Sequence, residues 1–142
     1  MRGATLIEVL VAVLILAIGL LGVAALQAAA LRNGQSALES TQAVVQSYAM
    51  LDAMRANQTA ARANNYNKGK TCAVPTAALT LVDSDWTNWV QGLKDSMGGS
   101  ACGAVACALN VCTVTITWDD SRATEITGPT DSERNIITTT RI

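Results

Sequence analysis

The fold is decided by residues 4–26, which read ATLIEVLVAVLILAIGLLGVAAL. Behind Glu8, every residue from position 9 to position 26 is apolar or glycine, and none carries a charge. An uncharged apolar run of this length is typical of a membrane-spanning helix. A carboxylate at the start of such a run is costly in a bilayer unless it lies near the surface or meets a partner. The segment therefore predicts a membrane helix in which Glu8 has one of these two placements.

Residues 3–12, GATLIEVLVA, resemble the class III signal of type IV pilins and pseudopilins. In that family a short basic leader ends in glycine, a prepilin peptidase cuts after it, and the new N-terminal amine is methylated. The resemblance implies cleavage after Gly3, methylation of Ala4, and a role in subunit assembly for Glu8, the fifth residue of the mature chain. Most family members have Phe as the first mature residue, so Ala4 is a departure from the pattern.

Two other interpretations of the N-terminus remain open. A secretory signal peptide has an apolar centre of about 7–15 residues and a cleavage site of small residues. Residues 24–28, AALQA, resemble such a site, but the apolar run is longer and Glu8 would be unfavourable within it. A plain single-span anchor explains the apolar run but accounts for neither Gly3 nor Glu8.

Composition bounds the remaining function classes. The 142 residues suit one domain, which we divide into a leader at residues 1–3, an apolar half-helix at residues 4–31 and a globular part at residues 32–142. The formal net charge is -1 and no basic cluster is present, which argues against a nucleic-acid partner. Histidine is absent, as are phosphate- and dinucleotide-binding motifs. We therefore expect no enzymatic activity, no cofactor and no metal.

The four cysteines predict disulfides. Cys72, Cys102, Cys107 and Cys112 form an even set in a small domain that would lie outside the cytoplasm, where thiols become oxidised. Their spacing differs from the paired C-x2-C pattern of zinc ribbons, so a metal site is the weaker alternative. Four cysteines allow three connectivities, and the sequence does not choose among them. We expect Cys72 to tie the loop after the long helix to the C-terminal sheet.

The first helix is predicted to continue to about residue 59, because good helix formers follow the apolar run without a proline. Positions at helical spacing suggest one face that packs on a sheet. This predicted stripe consists of Leu31, Gly34, Leu38, Thr41, Val45, Tyr48 and Leu51. The opposite, polar face consists of Arg32, Gln35, Ser36, Glu39, Gln46 and Ser47. Gly19 and Gly22 allow close helix packing in the membrane or, as the alternative, local softening.

The globular part is predicted to be α+β, with the long helix packed on a small antiparallel sheet. Residues 60–82 form a loop, with polar turn material at residues 64–70. A second helix spans about residues 84–97, capped by Asp83 or Ser84, and places Trp86 and Trp89 in the core rather than on a binding platform. Strands are expected near residues 103–109, 112–118, 123–126 and 135–142, within a sheet at about residues 103–142.

One acidic turn offers an alternative role. Asp119 and Asp120, with Asp131 or Glu133, could coordinate Ca²⁺, although an ordinary solvated turn is the preferred interpretation.

Three short stretches in the globular part resemble PilV-type minor pilins. They are residues 54–57 (MRAN) with residues 66–67, residues 112–118 (CTVTITW), and residues 140–142 (TRI). The resemblance implies a minor pilin that primes a type IV pilus used in adhesion and twitching. It also implies partners: other minor pilins, the major pilin, the prepilin peptidase and the inner-membrane assembly platform. The expected location is the inner membrane, with a single span and a periplasmic C-terminal domain, and then the pilus at or near its tip. Alternatives are a minor pseudopilin of a type II secretion system and a single-span anchored binding domain.

Overall fold

The computed structural model describes residues 5–76, 79–121 and 132–142. The chain divides into two compact units, Met1–Gln35 and Ser36–Ile142, and each is considered by itself. The elements in chain order are helices and strands with these bounds: α1 Leu6–Ala56, α2 Gln58–Arg62, β1 Lys68–Thr71, α3 Leu81–Met97, β2 Cys102–Ala108, β3 Val111–Asp119 and β4 Glu133–Arg141.

The first unit is helical from Leu6 onward and contains no buried side chain among its described residues, 5–35. Its leucines, isoleucines and valines are therefore exposed all round the helix. A helix that is apolar on every side is stable only where lipid or other chains cover it. This half of α1 is consequently built to be covered by something outside its own chain.

The second unit contains a four-stranded antiparallel sheet in the order β1-β2-β3-β4. Strand β3 alternates as predicted, and the expected apolar face is buried. That face consists of Cys112, Val114, Ile116 and Trp118. Together with the helices, this sheet gives the predicted α+β, pilin-like layout. The strand expected at residues 123–126 lies outside the described residues.

The predicted sheet-packing stripe of α1 is wrong at most of its positions. Within the second unit, Leu38, Val45 and Tyr48 are each more than half exposed. The residues that α1 buries are Ala43, Ser47, Met50, Leu51 and Met54, so of the predicted stripe only Leu51 is among them. The face that α1 buries is therefore offset from the predicted stripe, and it carries the small Ala43 and Ser47 beside the flexible Met50 and Met54. The Ser47 hydroxyl, predicted to face outward, is satisfied by donating to the Ala43 carbonyl oxygen at 2.9 Å.

Helix α3 begins earlier than predicted. Thr80, rather than Asp83 or Ser84, is the N-cap, and a reciprocal pair of hydrogen bonds links Thr80 and Asp83. The Thr80 hydroxyl also donates to the Asp83 carboxylate at 2.8 Å, which helps to hold the pKa of Asp83 below its usual value. The predicted cap was too late because Leu81 and Val82 were assigned to the preceding loop, although Val82 lies four residues before Trp86 and is buried with it.

Both tryptophans of α3 lie in the core, as predicted. Trp86 and Trp89 are buried, with an edge-to-face ring separation of 5.2 Å. Trp89 donates through its indole N–H to the Gln46 carbonyl oxygen at 2.8 Å, so α3 and the second half of α1 are joined by a directed bond as well as by apolar contact. Gly103 on β2 leaves space for the Trp89 ring, since a Cβ at this position would overlap it.

Strand β1 was predicted to be turn material, which is wrong for its four residues, Lys68–Thr71. Its sequence, KGKT, lacks the apolar alternation that identifies a strand. The side chain of Asn67 extends the pairing, because its amide N–H donates to the Cys107 carbonyl oxygen at 3.1 Å and its oxygen accepts from the Cys107 N–H at 2.7 Å. The first helix also ends at Ala56 rather than near residue 59, and α2 follows as a separate turn.

The four cysteines form two disulfides, Cys72–Cys102 and Cys107–Cys112. The first joins the segment after β1 to the start of β2, across a sequence separation of 30 residues. The second joins residues that face each other across the β2–β3 hairpin, with a separation of only 5 residues. The two bonds therefore constrain very different lengths of unfolded chain.

Candidate functional site

The candidate site is the beginning of α1. Gly3 and Ala4, the predicted cleavage and methylation positions, lie outside the described residues. Thr5 is the first described residue, and its carbonyl oxygen accepts from the N–H groups of Glu8 and Val9 at 3.0 and 3.3 Å. Glu8 is exposed and lies in the first turn of the helix.

This position gives Glu8 a physical role within its own chain. The first backbone N–H groups of a helix have no intrahelical acceptor, and a negative charge near them is favourable. The sequence Thr5-Leu6-Ile7-Glu8 also has the T-x-x-E spacing of a capping box. A carboxylate is therefore tolerated at the start of the apolar run more easily than farther along it. Sequence reasoning missed this spacing, which was visible in the printed residues.

Within the part of the chain that the structure describes, Glu8 makes no ion pair with a basic side chain. Its exposed carboxylate lies at the start of the helix, directly before residues 9–26, which are all apolar or glycine. Such a group is available to a cation supplied from outside the described residues. In the membrane or among packed helices, a partner of that kind would offset the cost of removing the charge from water.

The apolar half of α1 meets the length and composition criteria for crossing a membrane. Among the described residues, α1 is the one helix that meets these criteria. None of its apolar membrane-length segment is buried within the protein. Length and composition fit insertion in an inner membrane, and equally a helix packed among neighbouring helices.

The acidic turn after β3 is occupied by contacts within the protein. Asp120 is 3% exposed, and its Oδ2 atom accepts from the Ser36 hydroxyl at 2.7 Å and from Arg134 Nε at 3.0 Å. Glu133 instead pairs with Lys70. The Ca²⁺ alternative is therefore not supported for Asp120 and Glu133, and no cluster of potential metal ligands occurs among the described residues. Asp131 lies outside them.

A second polar network surrounds Tyr66, which is fully buried. Its hydroxyl donates to Asp85 Oδ2 at 2.5 Å and accepts from the Asn57 side chain at 3.3 Å, while its carbonyl oxygen accepts from the Trp86 indole at 3.2 Å. Burial, with the bond to Asp85 second, raises the pKa of Tyr66 to about 12. The network joins the end of α1 to α3 and has a structural rather than a chemical role.

One comparison with known proteins gave a match. Residues 1–24 match the family described as the prokaryotic N-terminal methylation motif. No curated protein and no solved structure matched the chain. The match covers the candidate site and most of the apolar run.

The motif and the α+β layout together support a type IV pilin-like or pseudopilin-like protein. They point to a structural subunit rather than an enzyme. They also imply processing by a prepilin peptidase and contact with a pilus-type assembly machinery, and they fit anchoring in the inner membrane and incorporation into a filament.

Proposed function

We propose that this chain is a minor pilin that helps to initiate a type IV pilus, with adhesion and twitching motility as its downstream readouts. The observation that carries the proposal is the helix of residues 6–31, exposed all round and mostly apolar, with Glu8 in its first turn and within residues 1–24, which match the methylation motif. A filament subunit uses one such helix in two environments: in the membrane before assembly, and against the helices of neighbouring subunits afterwards.

The processing steps follow from the same motif. Cleavage after Gly3 removes Arg2 and frees the amine of Ala4, which is then methylated. Ala4 precedes Glu8 by four residues in the sequence, so the new amine and the carboxylate are close together along the chain. In the assembled filament, Glu8 pairs with the N-terminal amine of an adjacent subunit and sets the axial register between them.

The preference for a pilus over a secretion pseudopilus rests on the stretches that resemble PilV-type proteins. Two of these stretches touch, since Arg55 donates to the Thr140 hydroxyl at 3.4 Å, and Asn57 of the first bonds to Tyr66. These contacts bring the resembling stretches side by side in the globular unit. By the same resemblance, the partners are other minor pilins, the major pilin and the inner-membrane assembly platform, with a position at or near the pilus tip.

Deletion of the gene tests the proposal. We expect few surface pili and lost twitching, with the major pilin still made and processed. Unchanged piliation together with a block in the release of secreted enzymes would instead identify a minor pseudopilin of a type II secretion system. If neither changes, the chain is a membrane-anchored binding domain without a filament.

Charge removal at Glu8 tests the assembly step separately. Glu8→Gln keeps the size of the side chain but removes its charge. We expect normal leader cleavage and at least about tenfold less of the variant subunit in sheared filaments. Loss of a charge pair costs a few kcal/mol, and about 1.4 kcal/mol already corresponds to a factor of ten. Glu133→Gln, which removes an exposed carboxylate from the globular unit, is the matched control and should leave incorporation unchanged. Equal incorporation of the Glu8→Gln variant and the unmodified chain would refute the pairing.

A further inference from the structure

The turn between β2 and β3 has an unfavourable sequence for its shape. Leu109 and Asn110 have φ values of 50° and 63°, so both central residues of this two-residue turn are left-handed. Asparagine and glycine are favoured in such turns, whereas a left-handed leucine is unfavourable because of its side chain. Leu109 is also 92% exposed, so no burial within the described residues compensates for the conformation. An outlier of this kind is a reason to look for a function.

The turn is held rigidly. The disulfide Cys107–Cys112 joins the two strands immediately behind it, between residues that face each other in the ladder. The N–H of Ile142 donates to the Asn110 carbonyl oxygen at 2.9 Å, which fixes the turn to the residue that follows β4. A side chain presented on a fixed support loses little entropy on binding, which favours affinity.

Basic side chains flank the exposed leucine. Arg141 lies opposite Val111 in the β3–β4 ladder, and Arg62 donates from Nε to the Ile142 carbonyl oxygen at 3.3 Å. Both arginines are exposed, and neither pairs with a side-chain carboxylate among the described residues.

Lys94 donates to the Gly99 and Ala101 carbonyl oxygens. Four other basic residues of the second unit contrast with the two arginines, because each of the four has a carboxylate partner. They are Arg55, Lys68, Lys70 and Arg134. The turn thus combines an exposed leucine with two exposed arginines that have no side-chain carboxylate partner among the described residues.

We propose that this hairpin tip, composed of Arg62, Ala108, Leu109, Val111 and Arg141, is a docking site for a protein partner that offers an apolar pocket bordered by carboxylates. Leu109 fills the pocket and the two arginines pair with its acidic border. Buried apolar anchors supply most of the affinity at such contacts, and complementary charge supplies orientation and rate. The tip is a different surface from the apolar half of α1, so the proposal stands whether or not the filament assignment does.

Photocrosslinking in cells that make the full chain tests the proposal. A benzoylphenylalanine probe replaces Ala108, which is exposed and adjacent to Leu109, and a control probe replaces Gln91 on the exposed face of α3. We expect one discrete protein adduct from position 108 and none of the same size from position 91. The crosslinked peptide of the partner, identified by mass spectrometry, should contain apolar residues beside Asp or Glu.

Variants in the probe background decide whether the contact has the proposed chemistry. Leu109→Gly and the double change Arg62→Glu with Arg141→Glu should each lower the adduct at least about tenfold, the ratio expected for loss of a central contact. Leu79→Gly, at another leucine that is 90% exposed, should not. The Tm of Leu109→Gly should be unchanged or higher, because glycine accepts the left-handed turn. Reversing the partner's crosslinked carboxylate to Lys should restore the adduct of the Arg→Glu variant.

Several results would overturn the proposal. These are the absence of any discrete adduct, an adduct that all variants form equally, an adduct with phospholipid, which would indicate a membrane surface, and a partner peptide without carboxylates. A Tm of Leu109→Gly well below that of the unmodified chain would also do so, because it would make Leu109 a stabilising residue rather than a binding one.

Discussion

The two units of this chain use apolar residues in opposite ways. Between Leu6 and Leu31 they form an exposed surface without a core, whereas between Ala43 and Ile142 they form a core that buries Trp86, Trp89 and Trp118. Burial of apolar surface is the main source of stability in both settings, but only the second unit obtains it from its own chain. The first unit obtains it from lipid or from other helices. Substitutions in the two units should therefore affect different measurements.

The largest difference should come from truncating a large side chain in each unit. Trp86→Ala should lower the free energy of unfolding of the globular unit by about 3–5 kcal/mol, because a fully buried indole leaves a cavity and loses its bond to the Tyr66 carbonyl oxygen. Leu14→Ala in the exposed half-helix should change it by less than about 0.5 kcal/mol. Denaturant unfolding of the full chain in detergent, followed by near-ultraviolet circular dichroism, measures both. Equal losses would contradict a core confined to the second unit.

The disulfides should contribute unequally within the globular unit. Loop closure predicts about 3.6 kcal/mol for Cys72–Cys102, which spans 30 residues, and about 2 kcal/mol for Cys107–Cys112, which spans 5. Replacing each pair by serine and measuring the unfolding midpoint tests this order. Before that, alkylation of the unfolded, non-reduced protein should label no thiol. Four labelled thiols would contradict the oxidised state, and a reversed order of stability would contradict the entropic explanation.

The smallest effect concerns alkaline pH. The folded-state pKa of Tyr66 lies above the unfolded value of 10, so its contribution to stability is complete below pH 10 and is lost as the pH rises toward about 12. Tyr66→Phe removes this titration, and the difference in Tm between the two proteins should shrink between pH 9 and pH 11.5. A constant difference across this range would mean that burial and the hydrogen bond to Asp85 do not raise the pKa of Tyr66 in the folded protein.

Sequence patterns predicted this molecule well where one physical effect dominated. The uncharged run behind Glu8, the alternation from Cys112 to Trp118 and the helical spacing of Trp86 and Trp89 each have a single explanation, and each has its expected structure. Strand β1 could not be predicted, since its residues pair through the backbone and through the Asn67 side chain rather than through an apolar pattern.

The prediction of the buried face of α1 was wrong for a different reason. Two faces of its second half carry apolar residues, and the helix buries the face that contains Met50, Leu51 and Met54. Which face is buried depends on the tertiary packing of the globular unit, which no local pattern encodes. The left-handed Leu109 was missed for a related reason, because a leucine carries no sequence signal for a positive φ.

We propose that the first residues are a pilin-type signal and that the exposed apolar helix packs in a filament. Intact-mass and N-terminal peptide analysis of the protein from its own cells tests both statements. We expect a mature chain that begins at Ala4, carries one methyl group on its amine and keeps the whole apolar run. A chain that begins near Gln27 or Ala28 would show a secretory signal peptide and contradict the account, and so would an uncut chain that begins at Met1 in cells with an active prepilin peptidase.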